Sequence, residues 1–356
     1  MRTFSCAVCK QMVFFENVRC TQCGSALGYL PEHLLVSALQ PGEPGAHVAL
    51  APAAAGARYR MCKNGVEHAV CNWMIAEGDD GDLCRSCRLN AVIPDLETPG
   101  ALAAWRKLEL AKRRLLYTLD ELRLPIDGGL SFAFKSDPPG DKVLTGHAGG
   151  LITVNIAEAD DPFREKVRAD LGEAYRTLLG HFRHEVGHYY WDQLIRDTLR
   201  LARFRDLFGD ERADYAEAVK RHYETGARAD WAEDCVSAYA AMHPWENWAE
   251  TFAHHLHMVD TLGTARGFGM VLRARPVGAS AQPEVSARAL DLEDFDDLLA
   301  GWVPLTVALN SLNRSMGLPD LYPFVLGEKV IARLRFVHGV VDEVTRAAAS
   351  GTAPRR

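Results

Sequence analysis

The sequence predicts an α+β fold, with a small metal-stapled module at the N-terminus followed by a mainly helical domain that carries a small β-sheet. Three observations predict it. Eight of the nine cysteines fall within the first 90 residues, a region poor in long amphipathic patterns. From Leu102 onward, apolar residues recur at helical spacing. Two short runs, residues 130–134 and 151–156, read as strands joined by a Pro/Gly-rich turn region. The domain division expected from this change of texture is residues 1–95 and 100–350.

Composition narrows the class. With 48% hydrophobic and 24% charged residues in 356, the chain can bury a sizeable core, which excludes a disordered chain, a collagen or a coiled-coil rod. The balance of 40 basic against 47 acidic residues, net -7, gives no general attraction to nucleic acid or an anionic membrane. No run approaches the ~20 apolar residues of a membrane span. The first residues lack the apolar core and cleavage site of a secretory leader, so a cytoplasmic location is expected. In a reducing compartment, clustered thiols are metal ligands rather than disulfides.

The elements follow in order. Residues 40–57, rich in Pro, Gly and Ala, read as a linker or flexible loop. Residues 102–122 read as a helix whose Lys112, Arg113 and Arg114 form a solvated face. Further helical patterns cover roughly 162–197, 212–224, 229–242, 244–262, 291–313 and 327–348, and residues 278–287 read as a surface loop. No repeat at a solenoid period is visible.

Cys6-x2-Cys9 and Cys20-x2-Cys23 form a zinc-ribbon pattern, because each CxxC knuckle points two thiolates at one tetrahedral ion. Cys62, Cys71, Cys84 and Cys87 form a second, looser set in which His68 is an alternative ligand. Four thiolates leave no open position, so both ions are expected to be structural and to supply folding energy that such a small module lacks. The module then serves stability or recognition of a protein partner.

The chemistry-bearing stretch is residues 181–194. His184-Glu185-x-x-His188 places two imidazoles one turn apart on a helix face, with Glu185 beside them. His181, His184, Glu185, His188 and Asp192 make one polar stripe on a helix that is otherwise apolar and therefore buried. A buried polar stripe needs partners, and a metal ion provides them. Downstream, Glu246, Glu250, His254 and His257 make a second stripe among Trp245, Trp248, Phe252 and Leu256. Glu250 is the expected third ligand, followed by Glu246 and then His254. His181 lines the cleft.

These segments together resemble the bacterial zinc-binding metallopeptidase family with an N-terminal zinc ribbon and, more distantly, the gluzincins. The matching stretches are CAVCKQMVFFENVRCTQCGSALGYLP, CNW with LCRSCRLNAVIPDL, YRTLLGHFRHEVGHYYW, HPWENWAETFAHHLHMVDTL and LNSLNRSMGLPDLYPF. The resemblance implies a zincin-like domain, His184, His188 and Glu250 as ligands, and Glu185 as base. The wider gluzincin pattern has Asn before the ligand Glu and Asp four residues after it. Here Ala249 and His254 stand at those positions, so the carboxylate that orients a ligating imidazole must come from elsewhere, with Asp192 and Asp234 as candidates.

The expected function is zinc-dependent hydrolysis of peptide bonds in a peptide or protein substrate, with one catalytic and two structural zinc ions. His254, His257, Tyr223 and Tyr322 are candidate donors to the oxyanion. The rivals are an amidohydrolase acting on a small or cross-linked peptide, an inactive ribbon adaptor and, disfavoured by charge, a nucleic-acid binder. Residues 151–156 are expected to be an edge strand along which an extended substrate pairs.

Overall fold

The computed structural model describes residues 2–126, 128–170, 177–274 and 284–350. It has the expected α+β composition and divides into two compact units, Arg2–Glu121 with Pro125–Arg164, and Leu122–Leu124 with Glu165–Arg356. No helix among the described residues is long and apolar enough to cross a membrane.

In the cysteine-rich unit, β1 (Phe4–Ser5) and β2 (Met12–Val13) form a hairpin. Next come β3 (Ala26–Leu30), β4 (Leu35–Pro41), β5 (Ala46–Ala49) and β6 (Arg58–Met61), then α1 (Lys63–His68) and β7 (Met74–Ala76). Strands β3 to β7 make one antiparallel sheet in sequence order. Residues 40–57 are therefore not a linker. Their glycines serve the turns (Gly45 and Gly56 have positive φ), and β5 is paired on both sides. The alanines of this stretch are small enough for Ala49 and Ala54 to pack with Leu30, Leu39, Tyr59 and Met74 in a local core.

The same unit continues through α2 (Arg85–Arg88), β8 (Asn90–Val92), α3 (Ala101–Glu121), β9 (Ser131–Lys135), β10 (Gly146–Ala148) and β11 (Leu151–Asn155). The second sheet has the order β10-β11-β9-β8. Both expected strands are present, but β11 lies inside the sheet. It pairs antiparallel with β10 and parallel with β9, so its backbone offers no free edge to a substrate. Nor is the basic cluster on α3 a solvated face. Lys112 is fully buried, and its ammonium meets Glu109 at 2.9 Å, the Ser86 carbonyl at 3.0 Å and Asn90. Arg113, also buried, donates to the Val70 carbonyl. A buried cation stands only when paired and hydrogen-bonded. These two tie α3 to the backbone around the second cysteine set.

The second unit is helical. After α4 (Asp161–Asp170) come α5 (Leu178–Leu194), α6 (Leu201–Phe208), α7 (Tyr215–Thr225) and α8 (Pro244–Phe268). The short pair β12 (Val271–Leu272) and β13 (Val285–Ser286) precedes α9 (Phe295–Ser315) and α10 (Glu328–Ser350). The pattern over 162–197 is thus carried by separate helices, with residues 171–176 outside the described residues. Residues 275–283 are likewise outside, and the end of the expected 278–287 loop is strand β13. Residues 229–242 do not form the expected helix and contain only the single 3-10 turns Trp231–Glu233 and Tyr239–Ala241.

Helices α5 and α8 pack at van der Waals limit. A Cβ on Gly187 would stand 2.9 Å from the Ala249 Cα and 3.0 Å from its carbonyl oxygen. The Trp248 indole donates to the Gly187 carbonyl at 2.9 Å. Glycine inside a helix is costly, and here its missing side chain lets two polar stripes face each other.

Candidate metal centre

Each cysteine set converges. Cys6, Cys9, Cys20 and Cys23 form one cluster, and Cys62, Cys71, Cys84 and Cys87 another. The Sγ–Sγ separations are 3.7 Å for Cys6–Cys23, 3.6 Å for Cys9–Cys20 and 3.5 Å for Cys71–Cys84. The edge of a tetrahedron with Zn–S bonds of about 2.3 Å is about 3.8 Å, so both sets fit zinc. Backbone N–H groups of Trp73 and Cys84 point at the Cys71 and Cys62 sulfurs, each at 3.4 Å, as thiolate acceptors require. His68 is not in the cluster; its ring lies 5.7 Å from that of Trp105.

The third cluster is built on α5 and α8. Thr177 caps α5, accepting from the Gly180 N–H at 3.0 Å. Phe182, Val186, Tyr189 and Tyr190 bury its other faces, leaving His184, Glu185 and His188 on the side toward α8. At the start of α8 the His243 side chain accepts from the Trp245 N–H at 3.1 Å, and Pro244 occupies the first turn. Glu246 then falls in the first turn, where the helix dipole favours a carboxylate.

Three atoms converge there. His184 Nε2 is 3.0 Å from Glu246 Oε2, His188 Nε2 is 3.4 Å from the same oxygen, and the two imidazole nitrogens are 3.2 Å apart. Bonds of about 2.0–2.1 Å to a tetrahedral zinc imply edges of about 3.3–3.4 Å. Glu246 is 1% exposed and, among the described residues, its Oε2 accepts no hydrogen bond, a buried lone pair aimed into the triangle. Its Oε1 accepts from the Tyr215 hydroxyl at 2.8 Å. This donor set fits zinc.

Glu250, the expected ligand, is outside the triangle. Its Oε1 lies 2.7 Å from His184 Nδ1, and its Oε2 accepts from the Ser237 hydroxyl at 2.6 Å. Burial alone would push the Glu250 carboxyl up, but the hydrogen bond from His184, aided by His254 and Ser237, holds it at about 2. An ionised carboxylate only accepts, so His184 Nδ1 carries a proton toward Glu250, and Nε2 is the nitrogen free to give up its proton to a metal ion. Glu246 is likewise held well below the usual range, against its burial, by His188 and His184. Burial would lower the His184 imidazole, but Glu246 and Glu250 raise it well above its ordinary value. Glu185 feels all four of these groups and is pushed up by its burial.

The remaining expected site residues lie further out. His254 Nδ1 and the Tyr322 hydroxyl are 2.6 Å apart, with the Phe324 ring 4.5 Å from the His254 ring. Burial drops the His254 imidazole to about 4. His257 accepts from Arg183 at 2.6 Å, and the same guanidinium binds Asp260 at 2.5 Å. None of His254, His257 and Tyr322 is among the converging ligands. Asp192 pairs with Arg196, and Asp234 with Arg228 and Arg333, so the carboxylate on His184 is neither of them. Tyr223 is largely exposed. Sequence reasoning missed Tyr215, Ser237 and the ring wall of Tyr239 and Trp245, whose centroids lie 5.8 Å from His184 and 3.8 Å from His188. One signal was available: Glu246 and Glu250 are four residues apart, the separation of ligand and orienting carboxylate in the gluzincin pattern.

Residues 101–340 match the model of a family described as "Putative zinc-binding metallo-peptidase". The chain belongs to this family. Residues 3–98 match a zinc-ribbon domain. Two relatives, from Mycobacterium bovis and Mycobacterium tuberculosis and each called an uncharacterized protein, are 43% identical over 352 residues, covering 97% of this chain and 96% of theirs. No solved structure matches the chain.

Proposed function

We propose that this zinc-binding metallopeptidase family member hydrolyses peptide bonds with a zinc ion held by His184, His188 and Glu246. The observation that carries this reading is the triangle of His184 Nε2, His188 Nε2 and Glu246 Oε2, with edges of 3.0–3.4 Å beside the buried Glu185. Three protein ligands leave the fourth vertex of a tetrahedron for chemistry, whereas the two four-cysteine clusters are closed. Zinc at such a site polarises a carbonyl and lowers the pKa of a water toward ~7.

The chain's own residues do the rest. Glu185, raised by burial, is suited to accept the attacking water's proton and pass it to the leaving amine. Glu250 fixes the His184 tautomer. Tyr215 holds Glu246 through Oε1, keeping Oε2 for the ion. His254, His257 and Tyr322 support α8 in this reading.

The test is cleavage of unstructured protein and peptide pools by zinc-replete wild type and by Glu185→Gln. Glu185→Gln is expected to keep three zinc ions per chain and lose hydrolysis. Equal cleavage by both, or none by the wild type on any pool, overturns the peptidase reading.

A further inference from the structure

The stretch between α7 and α8 is irregular, yet it is anchored. Asp234 is bound by Arg228 and lies 3.8 Å from the Arg333 guanidinium of α10. Cys235 is buried 3.3 Å from the Asn247 amide of α8. These contacts present Ser237 to the metal centre. Its hydroxyl accepts from the Ala240 N–H at 3.1 Å and donates to Glu250 Oε2 at 2.6 Å. The hydroxyl has one proton, and the carboxylate takes it. Glu250 Oε1 in turn receives the His184 Nδ1 proton at 2.7 Å.

We propose that Ser237 is a positioning residue of the metal centre. A chain of donors, Ala240 N–H to Ser237 to Glu250 to His184, fixes the imidazole with Nε2 toward the ion and thereby sets metal affinity. A terminal carboxylate torsion is broad and roughly two-fold. Held at both oxygens, Glu250 has one orientation; held at one, it swings with His184. The inference rests on the reading of the His184–His188–Glu246 triangle as a metal site. The competing role for Ser237 is a simple cap on the Tyr239–Ala241 turn, which would affect stability and leave affinity alone.

The experiment uses the full chain with zinc retained on the thiolate clusters and Co2+ titrated into the third site. The visible d–d band reports that site's geometry, and Glu185→Gln serves as a background free of turnover. Wild type is expected to bind one Co2+, and His184→Ala none. Ser237→Ala should weaken binding about 10- to 100-fold and alter the band, as loss of an outer-shell partner does. Ser237→Thr, which keeps the hydroxyl, should restore both. In a Glu250→Ala background, Ser237→Ala should have no further effect. If Ser237→Ala does not fold, Ser237→Cys with its weaker donor is measured instead and should bind Co2+ more weakly than wild type.

Wild-type affinity and spectrum in Ser237→Ala, or in Ser237→Cys where that variant replaces it, overturn the relay while leaving the metal centre standing. An undiminished effect in the Glu250→Ala background overturns it as well. Failure of the wild type to take up a third ion overturns the metal centre itself, and the relay with it.

Discussion

Replacing Glu246 and Glu250 in turn separates ligand from support. A four-ligand zinc site is worth about 10–16 kcal/mol, so one ligand is worth about 2.5–4 kcal/mol, or about 70- to 900-fold in affinity. Loss of an outer-shell partner costs about 10- to 100-fold. Glu246 Oε2 sits 3.0 and 3.4 Å from the two imidazole nitrogens, whereas Glu250 reaches only the far nitrogen of His184. Glu246→Ala is therefore expected to weaken the third zinc site about tenfold more than Glu250→Ala. The measurement is zinc affinity by competition with a chelator, with total metal per chain read by mass spectrometry. Both variants should keep the two thiolate-bound ions, and Glu246→Ala should retain only those after dialysis. A larger loss in Glu250→Ala, or three ions retained in Glu246→Ala, would refute the assignment and restore Glu250 as the ligand.

Two further predictions concern the packing around the centre. Gly187→Ala puts a Cβ against Ala249 backbone atoms at 2.9 and 3.0 Å, which cannot rotate away. Overpacking of this kind costs about 1–3 kcal/mol, so a lower Tm and weaker binding of the third zinc are expected, and an unchanged melt and affinity would refute the close approach. His255 Nε2 lies 3.1 Å from His338 Nδ1, whose other nitrogen meets the Glu293 carbonyl at 2.9 Å, and burial with help from His338 pushes His255 down to about 3. The folded value lies below the unfolded one, so the stabilising difference is intact above about pH 6.5 and is lost as pH falls toward 3, at about 1.4 kcal/mol per unit for this single site. Urea denaturation of His255→Asn between pH 6 and 4.5 should show a slope shallower by about one proton, and a slope equal to wild type removes His255 as a source.

Local sequence carried the elements whose ends are chemically marked. CxxC knuckles, the α5 periodicity and the α8 stripe are all short-range patterns, and each is found where it was expected. The failures share a cause. Residues 40–57 look like a loop because turn residues dominate their composition, but β5 becomes a strand through pairing with β4 and β6, which no window of that stretch contains. Strand β11 was legible and its place in the sheet was not, since its outer neighbour is Gly146-His147-Ala148, a run with no strand propensity of its own. Lys112 and Arg113 read as solvated because their partners, Ser86, Asn90 and Val70, come from elsewhere in the chain.

The third ligand shows the limit most sharply. A 3.6-residue period puts Glu246 and Glu250 on the same face of α8, so periodicity alone cannot choose between them. What decides is how far along α8 the HExxH helix crosses it. That crossing is fixed where Gly187 meets Ala249, a contact between two small residues that carry no pattern. With the crossing at Ala249, the carboxylate one turn earlier reaches both imidazole Nε2 atoms and the one at 250 is left beside Nδ1. On the proposed assignment the orienting carboxylate expected after the ligand is Glu250 itself, four residues after Glu246. The hydroxyls of Tyr215 and Ser237 had no local signal at all. Each is an ordinary polar residue until the fold sets it against a carboxylate oxygen, Tyr215 on the buried Glu246 and Ser237 on the half-buried Glu250.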